Sequence, residues 1–233
     1  MKVYAISDLH ISTGGDKPMD IFGSRWVGYI DKIKSDWNSK VTDEDIVLIA
    51  GDLSWAMKLE NAVTDLKEFA DLKGKKVIIR GNHDYWWNGI GKVRQSIPQG
   101  FYALQNDSVK FDNLIICGSR GWTLEETSEQ DKKLVNREVE RFRLALKDAE
   151  KQREQGDKLV CMIHYPPFNT SRDDSPFTEL FEEFKVDAVV YGHLHGKDCK
   201  AELKVNKNGI NYYLTSCDLV ENILTEINLG EKL

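Results

Sequence analysis

The chain has 233 residues, of which 41% are hydrophobic and 30% charged, enough apolar content for a sizeable core and too much for a disordered chain. Its formal net charge of -6 argues against holding a polyanion along a basic face, so no general nucleic-acid binding is expected. With no internal repeat and no Pro/Ser/Gly linker, residues 1–233 read as one α/β domain.

The opening MKVYAISDLH has one Lys and a short apolar run broken by Asp8, which is not the apolar stretch of a signal peptide, and no run reaches the roughly 18 apolar residues of a membrane span. Cys117, Cys161, Cys199 and Cys217 are widely spaced without a CxxC pair. They read as reduced thiols of a cytoplasmic protein, although the sequence leaves a disulfide between two of them open.

Short β-rich runs follow one another: KVYAIS (2–7), DIVLIA (45–50), KVIIR (76–80), NLIICGS (113–119), KLVCMIH (158–164) and VDAVVYGH (186–193). These predict buried strands. Helical patterns lie between them at Arg25 to Trp37, Ala56 to Leu72 and Thr127 to Gln155, so the first half predicts βαβ units around a sheet. The segment from Thr127 is the clearest helix, with a capping box from Thr127 and Gln130 and apolar Leu134, Val139, Phe142, Leu146 and Ala149. After His195, alternating strands near 201–205, 210–216 and 223–229 suggest a second, more antiparallel sheet packed on the first.

Acids and histidines sit where the predicted strands run out, in Asp8-Leu9-His10, Gly51-Asp52, Gly81-Asn82-His83-Asp84, His164 and Gly192-His193-Leu194-His195. Ligand sites in open α/β sheets lie outside the carboxyl ends of strands, so these five ends can converge on one crevice. All five histidines of the chain fall in these motifs, a concentration that satisfied structural histidines do not explain. Mixed imidazole and carboxylate donors suit manganese, iron or zinc. The two-residue spacing of Asp8 and His10, and of His193 and His195, puts each pair on one side of the chain if the backbone stays extended. Glycines 51, 81, 192 and 196 let it turn around the ligands.

The ordered motifs DLH, GDL, GNHD, HYPP and GHLH resemble those of the calcineurin-like metallophosphoesterase superfamily, over Asp8 to His195. The resemblance implies a four-layer αββα sandwich of two mixed β-sheets flanked by helices. It implies two divalent metal ions, one on Asp8, His10 and His195, the other on Asn82, His164 and His193, with Asp52 bridging. It places His83 beside the leaving group as proton donor, oriented by Asp84. Asn82 and His83 would then also face substrate. The implied activity is hydrolysis of a phosphomonoester or phosphodiester by a hydroxide activated at the dinuclear centre, making the chain a phosphatase or phosphodiesterase acting on a small phosphorylated substrate. Only Asp8 and Asp52 of the seven ligands are anionic, so two divalent cations leave a positive site suited to a phosphoester.

The GDLSWAM and GNHD segments depart from the protein Ser/Thr phosphatase branch, which carries an Arg after its second motif and GNHE as its third. Arg80 precedes GNHD and can reach a substrate phosphate, against the plainer reading of a surface charge. Trp55, Tyr85, Trp86, Trp87, Trp122, Tyr165 and Phe168 follow the motifs; packing accounts for most, while one or two can form an apolar lip for a substrate ring. The competing reading is a non-catalytic scaffold of the same fold that binds a protein partner, which would be expected to lose ligands. There is no HExxH, and DLHISTGG replaces GxGxxG after the first strand, against a peptidase and a dinucleotide-binding enzyme. Oligomeric state and the kind of phosphoester stay open at this stage.

Overall fold

In the computed structural model, which describes residues 1–14, 17–124 and 128–230, the apolar runs become strands whose successive side chains face opposite ways. In chain order these are β1 (Val3–Ile6), β2 (Ile46–Ile49), β3 (Lys75–Ile79), β4 (Phe101–Leu104), β5 (Asp107–Phe111) and β6 (Leu114–Ser119). There follow β7 (Lys158–Ile163), β8 (Ala188–Tyr191), β9 (Lys204–Lys207), β10 (Ile210–Leu214) and β11 (Thr225–Glu226). The helices are α1 (Tyr29–Lys40), α2 (Leu59–Lys67), α3 (Ile90–Ser96), α4 (Glu129–Glu150) and α5 (Pro176–Glu183).

One sheet has the order β11-β1-β2-β3-β4 and the other β5-β6-β7-β8-β10-β9. Both are mixed: β1 to β4 run parallel with β11 antiparallel, and β6, β7, β8 and β10 run parallel between antiparallel β5 and β9. Parity sorts the side chains into layers. Val3, Ala5, Ile46, Leu48, Val77 and Ile79 meet Ile116, Val160, Met162 and Val190 between the sheets. The opposite-parity Tyr4, Ile6, Val47, Ile49 and Ile78 pack with Ile33, Trp37 and Leu66 of α1 and α2. On the far side Leu159, Cys161 and Ile163 meet Phe142, Leu146, Phe177 and Phe181 of α4 and α5. Two sheets flanked by helices make the αββα sandwich. Phe142 is fully buried, so its truncation to Ala would cost about 3–5 kcal/mol.

Several details differ from the sequence-based expectation, among them helices α1 and α2, which span Tyr29–Lys40 and Leu59–Lys67 rather than Arg25 to Trp37 and Ala56 to Leu72. The late strands build no sheet of their own: β9 and β10 extend the sheet of β5 to β8, and β11 returns to the edge beside β1. Helix α4 begins at Glu129 under Ser128, whose hydroxyl accepts from Asp131 N at 3.1 Å; the proposed cap Thr127 lies outside the described residues. It stops at Glu150 rather than Gln155. Helix α5 was not anticipated: Ser175 Oγ accepts from Phe177 N and Thr178 N while Ser175 N donates to Thr178 Oγ1, a closed capping box ahead of Pro176. No helix among the described residues is long and apolar enough to cross a membrane.

The sheets are sewn together at one edge. Ser7 N donates to Thr215 O at 2.8 Å and Cys217 N donates to Ser7 O at 3.0 Å, so the ends of β1 and β10 meet although they belong to different sheets.

Candidate metal centre

The chain leaves β1, β2, β3, β7 and β8 at that same edge, and the five motifs converge there. Asp8 is fully buried; its carboxylate accepts from Ser7 Oγ at 2.6 Å, Ser216 Oγ at 2.9 Å and His193 N at 3.1 Å. Ligand atoms of Asp8, His10 and His195 lie within 4.8 Å of one another, as do those of Asp8, Asp52 and His164. Asn82 Oδ1 receives His164 Nε2 at 2.7 Å and His193 Nδ1 at 2.8 Å, which brings the remaining two residues to the second group. Asp52 Oδ2 stands between the groups, 3.8 Å from His10 Nε2 and 3.4 Å from His164 Nε2.

The backbone achieves this differently from the extended geometry assumed for the two-residue spacings. Asp8, His10, Asp52 and His193 all have positive φ, between 46° and 70°. Such residues cost about 1–3 kcal/mol each where the surroundings hold them there, and they cluster at functional sites. Between two of them, Leu9 turns into the core. At Gly81 and Gly192 the glycine serves close approach rather than a turn. A Cβ on Gly81 would fall onto the Asp52 carboxylate and amide, and one on Gly192 would lie 2.5 Å from Asp8 Oδ2 and from Ser7 Oγ.

The polar inventory fits bound metal. Both ring nitrogens of His10 and Oδ2 of Asp52 are buried and lack any hydrogen-bond partner, an arrangement that costs free energy unless something with positive charge and several coordination positions satisfies it. Burial lowers His10 to about 3 and His193 to about 4, so both imidazoles are neutral and free to ligate. Burial alone would also lower His164, but the Asp52 and Asp8 carboxylates raise it to about 9. Burial opposes ionisation of Asp52, yet the His164 charge and the hydrogen bond from His83 N outweigh it and hold Asp52 well below the usual carboxylate range. His164 Nδ1 donates to Ala50 O at 2.9 Å, which fixes the ring and aims Nε2 at the centre.

Asp84 does not touch the His83 ring. Its fully buried carboxylate accepts from Leu53 N (2.9 Å), Ser54 N (3.2 Å), Gly81 N (2.7 Å) and Trp86 Nε1 (2.9 Å). It therefore clamps the loop after Asp52 to the loop that carries Asn82 and His83, replacing the orienting role implied by resemblance. Burial, followed by the Asp52 charge, raises Asp84 to about 6. The His83 ring packs instead on Trp55, centroids 4.6 Å apart, with Tyr85 Oη 3.5 Å from Nδ1. Its pKa is lowered by burial against the pull of Asp52.

A cavity of about 540 Å³ adjoins the centre, lined by Met19, Phe22, Trp26, Trp55, His83 and His195 among others. Of the aromatic residues singled out in sequence, Trp86, Trp87 and Phe168 are core, while Trp55 stacks on His10 at 4.6 Å and forms part of this wall. Trp26 and the 60%-exposed Phe22, both missed, complete it. Sequence reasoning also missed Ser7 and Ser216 on Asp8; the only signal was a polar TSCD run closing a strand.

The family model for calcineurin-like phosphoesterases matches residues 1–197. An uncharacterized protein of Methanocaldococcus jannaschii, MJ1445, is 30% identical over 129 residues, 50% of this chain and 68% of that protein. Among solved structures, TT1561 of Thermus thermophilus superposes with a TM-score of 0.62 at 10% identity, covering 98% of each chain. The protein of unknown function AQ665 from Aquifex aeolicus gives 0.50 at 14% identity, over 97% of this chain and 95% of its own. At these identities the two structures speak for the shared fold.

Proposed function

The chain belongs to the calcineurin-like phosphoesterase family, and on that premise we propose that it hydrolyses phosphoesters of small molecules with two divalent metal ions, of the manganese, iron or zinc kind. The observation that carries this reading is the convergence of unpartnered, buried donors, His10 Nδ1 and Nε2 with Asp52 Oδ2, between two ligand groups. Asp8, His10 and His195 would hold one ion, Asn82, His164 and His193 the other, and Asp52 both. When bound, the ions would supply Lewis-acid charge for the phosphoryl oxygens and lower the pKa of the attacking water.

The protein's own groups do the rest. Ala50 O holds the His164 ring, and Asp84 holds the loops, so the donors are set before substrate arrives. His83 lines the cavity that would receive the departing group and gives its proton to the leaving oxygen. An anionic phosphoester seated beside this ring raises its proton affinity against the effect of burial. Apolar Met19, Phe22, Trp26 and Trp55 keep bulk water from the leaving oxygen. Four free cysteines support a reducing, cytoplasmic setting.

The test is a screen of manganese-loaded protein against phosphomonoesters and phosphodiesters, with a chelated control. Turnover that chelation abolishes is the expected result; full metal loading without hydrolysis of any ester would overturn the reading.

A further inference from the structure

Orphaned groups at the metal centre include an acceptor, but a second set near the ends of β3 and β6 supplies donors. Arg80 Nε and Trp122 Nε1 are buried without a hydrogen-bond partner. The Arg120 guanidinium lies 4.8 Å over the Trp122 ring. Among the described residues, neither Arg80 nor Arg120 makes a side-chain hydrogen bond or ion pair. Glu138, the buried acid of this neighbourhood, is taken on Oε1 by Arg141 at 2.6 Å and Arg137 at 3.4 Å, and its Oε2 reaches no donor. Two guanidinium groups without an ion-pair partner among the described residues stand out in a chain of net charge -6.

Their position ties them to the centre. A Cβ on Gly118 would lie 2.9 Å from the Ile79 side chain, so β6 and β3 face each other across the inter-sheet layer one or two residues before the arginines. Arg80 precedes Asn82 by two residues, and Arg120 O accepts from His164 N at 3.0 Å and Tyr165 N at 3.3 Å. The Tyr165 ring is 4.4 Å from that of His193 and 5.8 Å from that of Trp122. The backbone segments that carry the arginines thus adjoin Asn82, His164 and His193, whereas the apolar cavity adjoins His83 and His195.

We propose that Arg80 and Arg120, with Trp122 Nε1, form a second anion subsite that receives a further phosphate of the substrate, so that the preferred esters carry two anionic groups. This rests on the hydrolase reading above and narrows its substrate class. Guanidinium forks match phosphate oxygens with paired N–H donors, and unpartnered donors of this kind are satisfied by an acceptor.

Calorimetric titration of manganese-loaded protein decides it, comparing methylphosphonate with propane-1,3-bisphosphonate at matched free manganese. The bisphosphonate is expected to bind about tenfold tighter or better, and Arg80→Met or Arg120→Met to erase most of that advantage while leaving methylphosphonate within about threefold. Arg80→Lys, which keeps the charge, should retain part of it. No advantage in the unaltered protein, or equal weakening of both ligands in folded variants, would overturn the proposal. So would two inorganic phosphates per chain with no bisphosphonate advantage, since that describes an independent anion site. Hydrolysis of bis(p-nitrophenyl) phosphate, followed in parallel, separates the two claims: absent turnover removes the hydrolase reading, while the titration still answers for the subsite.

Discussion

The backbone amide of His83 donates to Oδ1 of Asp52 at 2.7 Å, which fastens the proposed proton donor to the proposed bridging ligand. The other oxygen of the same carboxylate has no hydrogen bond and faces His10 and His164. Asp52→Asn keeps the shape, removes the charge and turns one oxygen into a donor. Metal content should fall below two per chain and activity by on the order of 10² or more, since outer-shell changes alone cost about 10–100-fold. Elemental analysis beside kinetics checks this; unchanged occupancy of two ions would show that Asp52 bridges nothing.

His83→Ala tests the proton donor. General acid catalysis is typically worth about 10² to 10⁴ in rate and matters most for poor leaving groups. A ribose or alkyl ester should slow by that order, a nitrophenyl ester far less, with metal content unchanged. Single-turnover measurements ensure that chemistry limits both rates. Equal slowing of the two esters would make His83 a phosphate-binding group.

Asp84→Asn separates clamping from proton chemistry. The amide must turn a donor toward N–H groups that now share a carboxylate, so stability should fall by about 1–3 kcal/mol. Urea unfolding of the metal-free protein measures it. Both ester classes should slow together, unlike the His83 variant; a leaving-group dependence matching that of His83→Ala would restore a role for Asp84 in proton transfer.

Asp45 offers a pH test away from the proposed metal site. Burial raises its pKa, but hydrogen bonds from Lys2 N (2.6 Å), Thr42 N (2.9 Å) and Thr42 Oγ1 (2.8 Å) prevail and leave it lowered. A carboxyl lowered in the folded state binds fewer protons there than in the unfolded chain, so its contribution is present above the ordinary carboxylate pKa and lost as pH falls through the folded value. Asp45→Asn should therefore destabilise by about 1–2 kcal/mol at pH 7 and by much less near pH 3. An equal difference at both pH values would assign the effect to packing.

The strands and the ligand types were legible because buried parallel strands read as apolar runs and because acids and histidines at their ends stand out against them. What periodicity does not carry is allocation between sheets: β9, β10 and β11 alternate alike, yet two join one sheet and the third joins the other. The left-handed conformations of Asp8, His10, Asp52 and His193 were hidden for a different reason: Asp and His enter that region more readily than most residues, but only tertiary contacts decide which of them do. Strands β4 and β5 escaped because Tyr102 points outward and every residue of β5 is only half-buried. Arg120 carries no motif, and the approach of its strand end to that of Arg80 follows only from the two sheets facing each other.

The seam between β1 and β10 has a consequence for how the site comes into being. Asp8 accepts a hydrogen bond from Ser216, 208 residues later, whereas the last proposed ligand is His195. A chain emerging from the ribosome therefore carries every coordinating side chain before it carries the serine and the β10 edge that hold the first of them in place. Tight metal uptake would then coincide with completion of the second sheet rather than with synthesis of the ligands, and a bound ion would mark a molecule whose two halves have already closed on each other.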